Sequence, residues 1–176
     1  MTKQELEMCI NEYGKDIYSF CKHLANNLQE ADDLYQDTFL MAVEIIDKID
    51  YENNPKSYLL SVALRIWKNK KRKYAWRKRI VDVQSMVDER DTYMSESTER
   101  SLEEKMIQAE LFEFVRVAVK RLPDRLKVVV LLFYMEDLST KQVAEVMKIP
   151  EGTVLSRLYQ ARKALRKELE DVLDGE

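Results

Sequence analysis

Apolar residues recur at spacings of three and four along most of this chain, the period of amphipathic α-helices. Leu6, Ile10, Tyr13, Ile17, Phe20 and Leu24 form one face of a helix over about residues 4–28. Leu34, Thr38, Met41 and Ile45 form the buried side of a second over 30–49. Asn53, Asn54 and Pro55 interrupt the pattern, and a third helix is predicted to begin near Lys56 or Ser57. There Leu59, Leu60, Ala63, Ile66 and Trp67 occupy most of the circumference. Ser61, Arg65, Lys68 and Arg72, with Asn69 beside them, leave a single polar stripe that must face water or a partner. From 82 to 104 the apolar period is lost and Ser, Thr and acidic residues dominate, which predicts a linker. The helical period then returns with Leu111, Phe114, Val115, Ala118 and Leu122, up to Pro123. Residues 124–135, almost wholly apolar from Val128 to Tyr134, are expected to be the core of this second group.

The last predicted pair of helices is the most informative. Ser139 has a hydroxyl suited to cap a helix, and Gln142 three residues on completes a capping box, so a helix begins at 139 or 140. Val143, Ala144 and Met147 give it one apolar face. At Lys148-Ile149-Pro150-Glu151-Gly152 the missing amide proton of Pro150 and the freedom of Gly152 are expected to end that helix in a short turn. In the following helix Val154, Leu158, Ala161 and Leu165 make a narrow stripe for packing on the helix before it. Ser156, Tyr159, Gln160, Lys163 and Lys167 lie on the opposite side with no acidic residue among them, a set suited to base edges and phosphates, and Arg157 and Arg162 flank that face. A helix-turn-helix offering its second helix to DNA fits these residues; a helical hairpin with a solvated basic face fits them too.

Composition changes the picture in two respects. Three Gly and three Pro in 176 residues, with 45% hydrophobic and 35% charged positions, indicate an all-α soluble protein. No apolar run nears the roughly 20 residues that cross a bilayer and no signal-peptide core opens the chain, so a cytoplasmic location is expected. A net charge of −3 would argue against nucleic acid, but the charge is uneven. Residues 80–105 hold 8 acidic against 3 basic residues, whereas 10 basic and no acidic residues lie between Asn53 and Val81. In that basic run the cations are interleaved with Tyr74 and Trp76; cations neutralise phosphates and aromatic rings stack on unpaired bases. The second helix carries the contrary surface, with Asp33, Gln36, Asp37, Leu40 and Glu44 forming an acidic stripe around an exposed leucine. It is either a plain solvent face or a dock for a basic partner helix.

With these residues in place, the chain resembles a bacterial RNA polymerase sigma factor of the small, extracytoplasmic-function type. Residues 30–39, EADDLYQDTF, resemble the family's acidic "DAEDLVQEVF" segment. Residues 57–72 resemble its segment for melting and reading the minus-ten element. Leu122-Pro123 with 152–158, GTVLSRL, and 161–165, ARKAL, resembles its closing "LP … GTVRSRLxRARxxL" pattern. The resemblance implies two small helical domains, sigma-2-like over 1–80 and sigma-4-like over 106–176, joined by an acidic linker over 81–105, the second ending in the helix-turn-helix.

It further implies core RNA polymerase as partner, through the β′ clamp at Asp33, Gln36, Asp37 and Leu40 and through the β flap. Promoter DNA would meet Ser61, Arg65, Lys68, Asn69, Arg72, Tyr74 and Trp76 at the minus-ten element. At the minus-thirty-five element it would meet Thr153, Leu155, Ser156, Arg157, Tyr159, Gln160, Arg162 and Lys163. An anti-sigma factor is implied as a third partner, one able to hold the protein at the membrane. The chain departs from the family pattern at Arg65, Asn69, Leu155 and Gln160, all on faces expected to read DNA.

Chemistry of its own is not expected: there is no nucleotide loop and no Ser, His, Asp set around the single His23. Cys9, Cys21 and His23 match no zinc spacing, so buried free thiols are expected and no metal, cofactor or small-molecule substrate. The competing reading is a helix-turn-helix regulator that binds duplex DNA without being a polymerase subunit.

Overall fold

The computed structural model describes residues 1–80 and 102–173, and side chains outside 80, 102–111 and 171–173 of those. The stretch 81–101, most of the expected linker, lies outside the described residues. Among the described residues every regular element is helical: α1 Lys3–Leu24, α2 Leu28–Glu44, α3 Pro55–Ile80, α4 Leu102–Arg121, α5 Asp124–Val130, α6 Thr140–Met147 and α7 Glu151–Leu173. The expected all-α class is what the chain adopts. Helix α4 starts ahead of the expected boundary at 106.

Helices α1, α2 and α3 pack on one another around Leu6, Ile17, Phe20, Leu34, Leu59, Leu60 and Leu64, all nearly inaccessible. Thr2 and Glu5 close a capping box at the head of α1. Ile10, expected inside, is 38% exposed, although Gly14, Ile17 and Cys21 on the same side of α1 are buried. Gly14 lets the helices approach: a Cβ there would stand 3.0 Å from Tyr35 Oη. Tyr35 in turn meets Tyr18 and Phe39 edge-on, with ring centroids 5.4 and 4.9 Å away.

The boundaries of these helices differ from the periodic expectation for local reasons. Helix α1 stops at Leu24 because Asn27 Oδ1 accepts from Glu30 N at 2.8 Å and caps α2, while the Glu30 carboxylate accepts from the amide of Asn26 at 3.0 Å. Helix α2 ends at Glu44 and a 3-10 turn, Ile46–Lys48, swings Ile49 into the core, so Ile45 and Met41 are only half-buried. Asn54, at φ 50°, accepts from Ser57 N and starts α3 at Pro55. Near the other end of the buried part of α3, Trp67 Nε1 donates to Leu24 O, 2.9 Å away, and so satisfies a carbonyl at the open end of α1. Cys9 and Cys21 are buried thiols outside any disulfide; burial, reinforced by Glu12 and Glu5, pushes the Cys9 thiol up.

Helices α4 to α7 form a second unit. Leu122, Leu126, Val130 and Ala161 are its packed centre, joined by Val119, Ala164 and Leu165. Of the apolar face expected for α4, Ala118 and Leu122 are buried, but Val115 is 39% exposed. The apolar run expected as one helix over 124–135 is α-helical only to Val130; Leu131–Met135 winds as a wider π turn, with Glu136 N bonded to Leu131 O.

Trp67→Phe keeps an aromatic ring but leaves the Leu24 carbonyl without its donor. A loss of about 1–3 kcal/mol is expected for a buried acceptor so stranded, read as a lower urea midpoint in the helical circular dichroism of the full chain.

Candidate nucleic-acid interface

On α2 the stripe is built as the spacing requires. Asp33 and Gln36 are exposed, and Leu40 stands out at 64% exposure. Asp37 is not free: its carboxylate is 2.6 Å from Lys70 Nζ on α3. Lys70 is a residue that sequence reasoning had left as one cation among ten.

On α3 every residue from 68 to 79 is exposed, so the helix leaves its own core at Trp67 and runs on in solvent for about 20 Å. At about 100° per residue, Arg65, Lys68, Asn69, Arg72 and Trp76 share one face. Within it Arg72 donates to Asn69 Oδ1 at 2.7 Å. Trp76, 64% exposed, therefore extends the stripe. Tyr74, 67% exposed, falls on the opposite side of the same helix, so the two aromatic residues do not act on one surface. Ser61 is half-buried, and its hydroxyl donates to Tyr58 O at 2.7 Å inside the helix. Lys71 is held over the Trp67 ring, 4.9 Å from its centroid.

The helix-turn-helix has the expected caps. Ser139 N donates to Gln142 Oε1 at 2.9 Å and Gln142 N to Ser139 Oγ at 3.3 Å. The turn is made differently from the expectation: Lys148 takes the left-handed conformation, at φ 55°, whereas Gly152 lies inside the first turn of α7. The carbonyl of Pro150 accepts from Thr153 N and Val154 N, so the proline starts α7 as well as ending α6. Thr140 Oγ1 donates to Glu151 at the head of α7, tying together the starts of the two helices. The stripe Val154, Leu158 and Ala161 is buried. Its lower part, Ala161 and Leu165, packs with Leu122, Leu126 and Val130 rather than with α6.

Opposite that stripe Leu155, Ser156, Tyr159, Gln160 and Lys163 are exposed, and Thr153 and Arg157 are half-buried at the edges. Gln160 Nε2 donates to Ser156 Oγ at 3.2 Å, so these two side chains form one polar unit on the outer face. Arg162 is bound by Tyr134, which no sequence signal had placed near it: its Nε donates to Tyr134 Oη at 2.7 Å. Among the described residues no group of His, Cys, Asp and Glu is arranged to hold a metal.

These two surfaces, a cationic helix in one unit and a helix-turn-helix in the other, coincide with two family matches. Residues 9–77 match Sigma-70 region 2, and residues 115–165 match Sigma-70, region 4. The chain belongs to the sigma-70 family of RNA polymerase sigma factors. It is of the extracytoplasmic-function type and serves transcription initiation. The ECF RNA polymerase sigma factor SigW of Bacillus subtilis (strain 168) is 29% identical to it, over 93% of this chain and 88% of that protein. The RNA polymerase sigma-H factor of Pseudomonas aeruginosa is 25% identical over 97% of this chain and 89% of its own. Among solved structures, the sigma factor RpoE of Bartonella quintana, in complex with the anti-sigma factor NepR, shares the fold with a TM-score of 0.76 at 20% identity, over 96% of each chain. CnrH in complex with the cytosolic domain of CnrY does so with a TM-score of 0.65 at 15% identity, over 96% of this chain and 90% of its own.

The turn of this sigma factor yields a prediction about folding alone. A non-glycine residue at φ 55° is strained, and a Cβ on Gly152 would meet open space. Lys148→Gly and Gly152→Ala are therefore each expected to stabilise the fold, by about 0.5–1 kcal/mol, in urea unfolding of the full chain. A destabilised Gly152→Ala would show that the turn needs its glycine after all.

Proposed function

We propose that this sigma factor divides its work between its two helical domains, 1–80 and 106–176, with 81–105 as the connection. The stripe of Asp33, Gln36, Asp37 and Leu40 docks on a basic helix of core polymerase, the β′ clamp in the family. Acidic residues set the orientation, and the exposed leucine is the apolar anchor. The second domain engages the β flap and lays α7 in the major groove of the upstream promoter element. There Ser156, Tyr159, Gln160 and Lys163, with Thr153 and Leu155 beside them, face the base edges, and Arg157 and Arg162 face the phosphates.

The observation that carries the reading is the bare half of α3. Lys68 and Arg72, and Lys73 and Arg77, stand four residues apart on a helix with no core beneath it. Such like-charge pairs weaken a helix in water. A polyanion against this face removes the repulsion. Arg65, Lys68, Asn69 and Arg72 then follow the backbone of the minus-ten element, and Trp76 on the same face stacks on an unpaired base. Ser61, turned into its own helix, and Tyr74, on the far side, are peripheral to that contact. The sigma factor performs no chemistry and needs no cofactor.

An anti-sigma factor is a further partner, by likeness to the relatives solved with NepR and with the cytosolic domain of CnrY. The protein acts in the cytoplasm; among the described residues no helix is long and apolar enough to cross a membrane.

Transcription in vitro from genomic DNA tests the reading: core polymerase is expected to initiate at a discrete set of promoters only when this protein is added. A regulator that binds duplex DNA unaided would instead bind the same promoters without polymerase. Two variants separate the surfaces. Asp33→Lys with Asp37→Lys is expected to abolish binding to core polymerase while helical content is retained. Arg65→Ala with Lys68→Ala is expected to keep core binding and lose permanganate reactivity of the melted strand.

A further inference from the structure

The contact between Arg162 and Tyr134 leaves an arrangement of donors that the fold does not use. Arg162 lies on the flank of α7, about 60° around the helix from Tyr159. Its Nε donates to Tyr134 Oη at 2.7 Å, and the guanidinium carbon is 5.8 Å from the centre of the tyrosine ring. That contact occupies one edge of the guanidinium. Its two terminal amino groups make no hydrogen bond to any described residue, and no described carboxylate pairs with it. The tyrosine hydroxyl spends a lone pair on Nε and keeps its own proton to donate. Both side chains are exposed, Tyr134 at 56%.

The tyrosine is itself held in place. Its ring meets Phe133 edge-on at 4.9 Å, and the π turn that carries it is anchored by Leu131 and Leu132, both buried. A planar cation with its rotamer fixed by a neighbour binds an anion with less loss of freedom than a free one.

We propose that Tyr134 and Arg162 together clamp one backbone phosphate of the upstream promoter duplex, the arginine through its terminal amino groups and the tyrosine through its hydroxyl. Tyr134 thus acts both as a donor and as the positioning residue for Arg162. The proposal rests on the reading of α7 as the groove-binding helix and adds to it a residue from outside the helix-turn-helix. It makes the π turn part of the DNA-binding surface.

The test uses the full-length protein assembled with core polymerase, and upstream-element duplexes carrying a single neutral methylphosphonate at each backbone position in turn. At one position, neutralisation is expected to weaken wild-type binding and to weaken Arg162→Ala much less. Arg162→Ala is expected to lower the salt slope by about one. Tyr134→Phe, which keeps the ring and the fold, is expected to weaken binding about three- to tenfold on matched and mismatched sequences alike. Added to Arg162→Ala, it should cost less than it does alone. Wild-type affinity in Tyr134→Phe, full additivity of the two substitutions, or no methylphosphonate position specific to Arg162 would overturn the clamp. The reading of α7 is judged separately, by Gln160→Ala and Lys163→Ala. If these also leave upstream binding unchanged, α7 is not in the groove; if they weaken it while Tyr134→Phe does not, only the clamp fails.

Discussion

The indole of Trp67 is the pivot of the N-terminal unit. Its N–H satisfies a carbonyl at the end of α1 that no residue of α1 can reach, across 43 positions of sequence. Its ring is also the last buried surface on α3. Before it, the helix is a core element wrapped by α1 and α2; after it, the helix is a charged rod. The division follows from helix geometry: a 26-residue helix is longer than the three-helix core beneath it, and the excess must project. The strength with which α3 is fixed at Trp67 thus sets how steadily Arg65 and Lys68, on either side of it, and Trp76 beyond are presented.

Electrostatics links the surfaces more closely than their separation in sequence suggests. Asp37 belongs to the acidic stripe of α2, and Lys70 to the cationic run of α3, yet the two share an ion pair at the surface. Such a half-exposed pair contributes little to stability, on the order of 1 kcal/mol or less. Its interest is positional, since it marks the seam where a surface that attracts cations abuts one that attracts anions. The net charge of −3 conceals both.

Much of this was legible in the sequence because most of it is periodic. Spacings of three and four found the helices, and the pair of Ser139 and Gln142 announced the start of α6 by a mechanism that depends on those two residues only. The misses have a common character: they depend on side chains that meet across the fold or on backbone states that hydrophobicity does not encode. Ile10 fits the period of α1 and lies on the side of Ile17, yet it is 38% exposed, because the period gives the direction of a side chain and not whether another helix covers it. Tyr74 and Trp76 look equivalent in a basic run, and only an unbroken α-helix from Pro55 to Ile80 sets them on opposite sides. Gly152 drew attention as the flexible residue of the turn, while Lys148 took the left-handed conformation. Tyr134 could not be found from its neighbours, because the residue it holds is 28 positions away.

The π turn at Leu131–Met135 acts as a phase shifter. It holds one more residue than an α-helical turn and so resets the angular count between α5, whose face is fixed by Leu126 and Val130, and the chain beyond Met135. Removing one residue from this apolar stretch would leave its hydropathy almost unchanged and restore regular α-helical bonding with the downstream chain nearly in place; winding all five residues as α-helix would instead rotate that chain by nearly 100°. Tyr134 would leave Arg162, and Glu136 would leave its buried place. The winding of the chain between Val130 and Ser139 is therefore information in its own right, a spacer measured in degrees, on which hydrophobic character alone places no constraint.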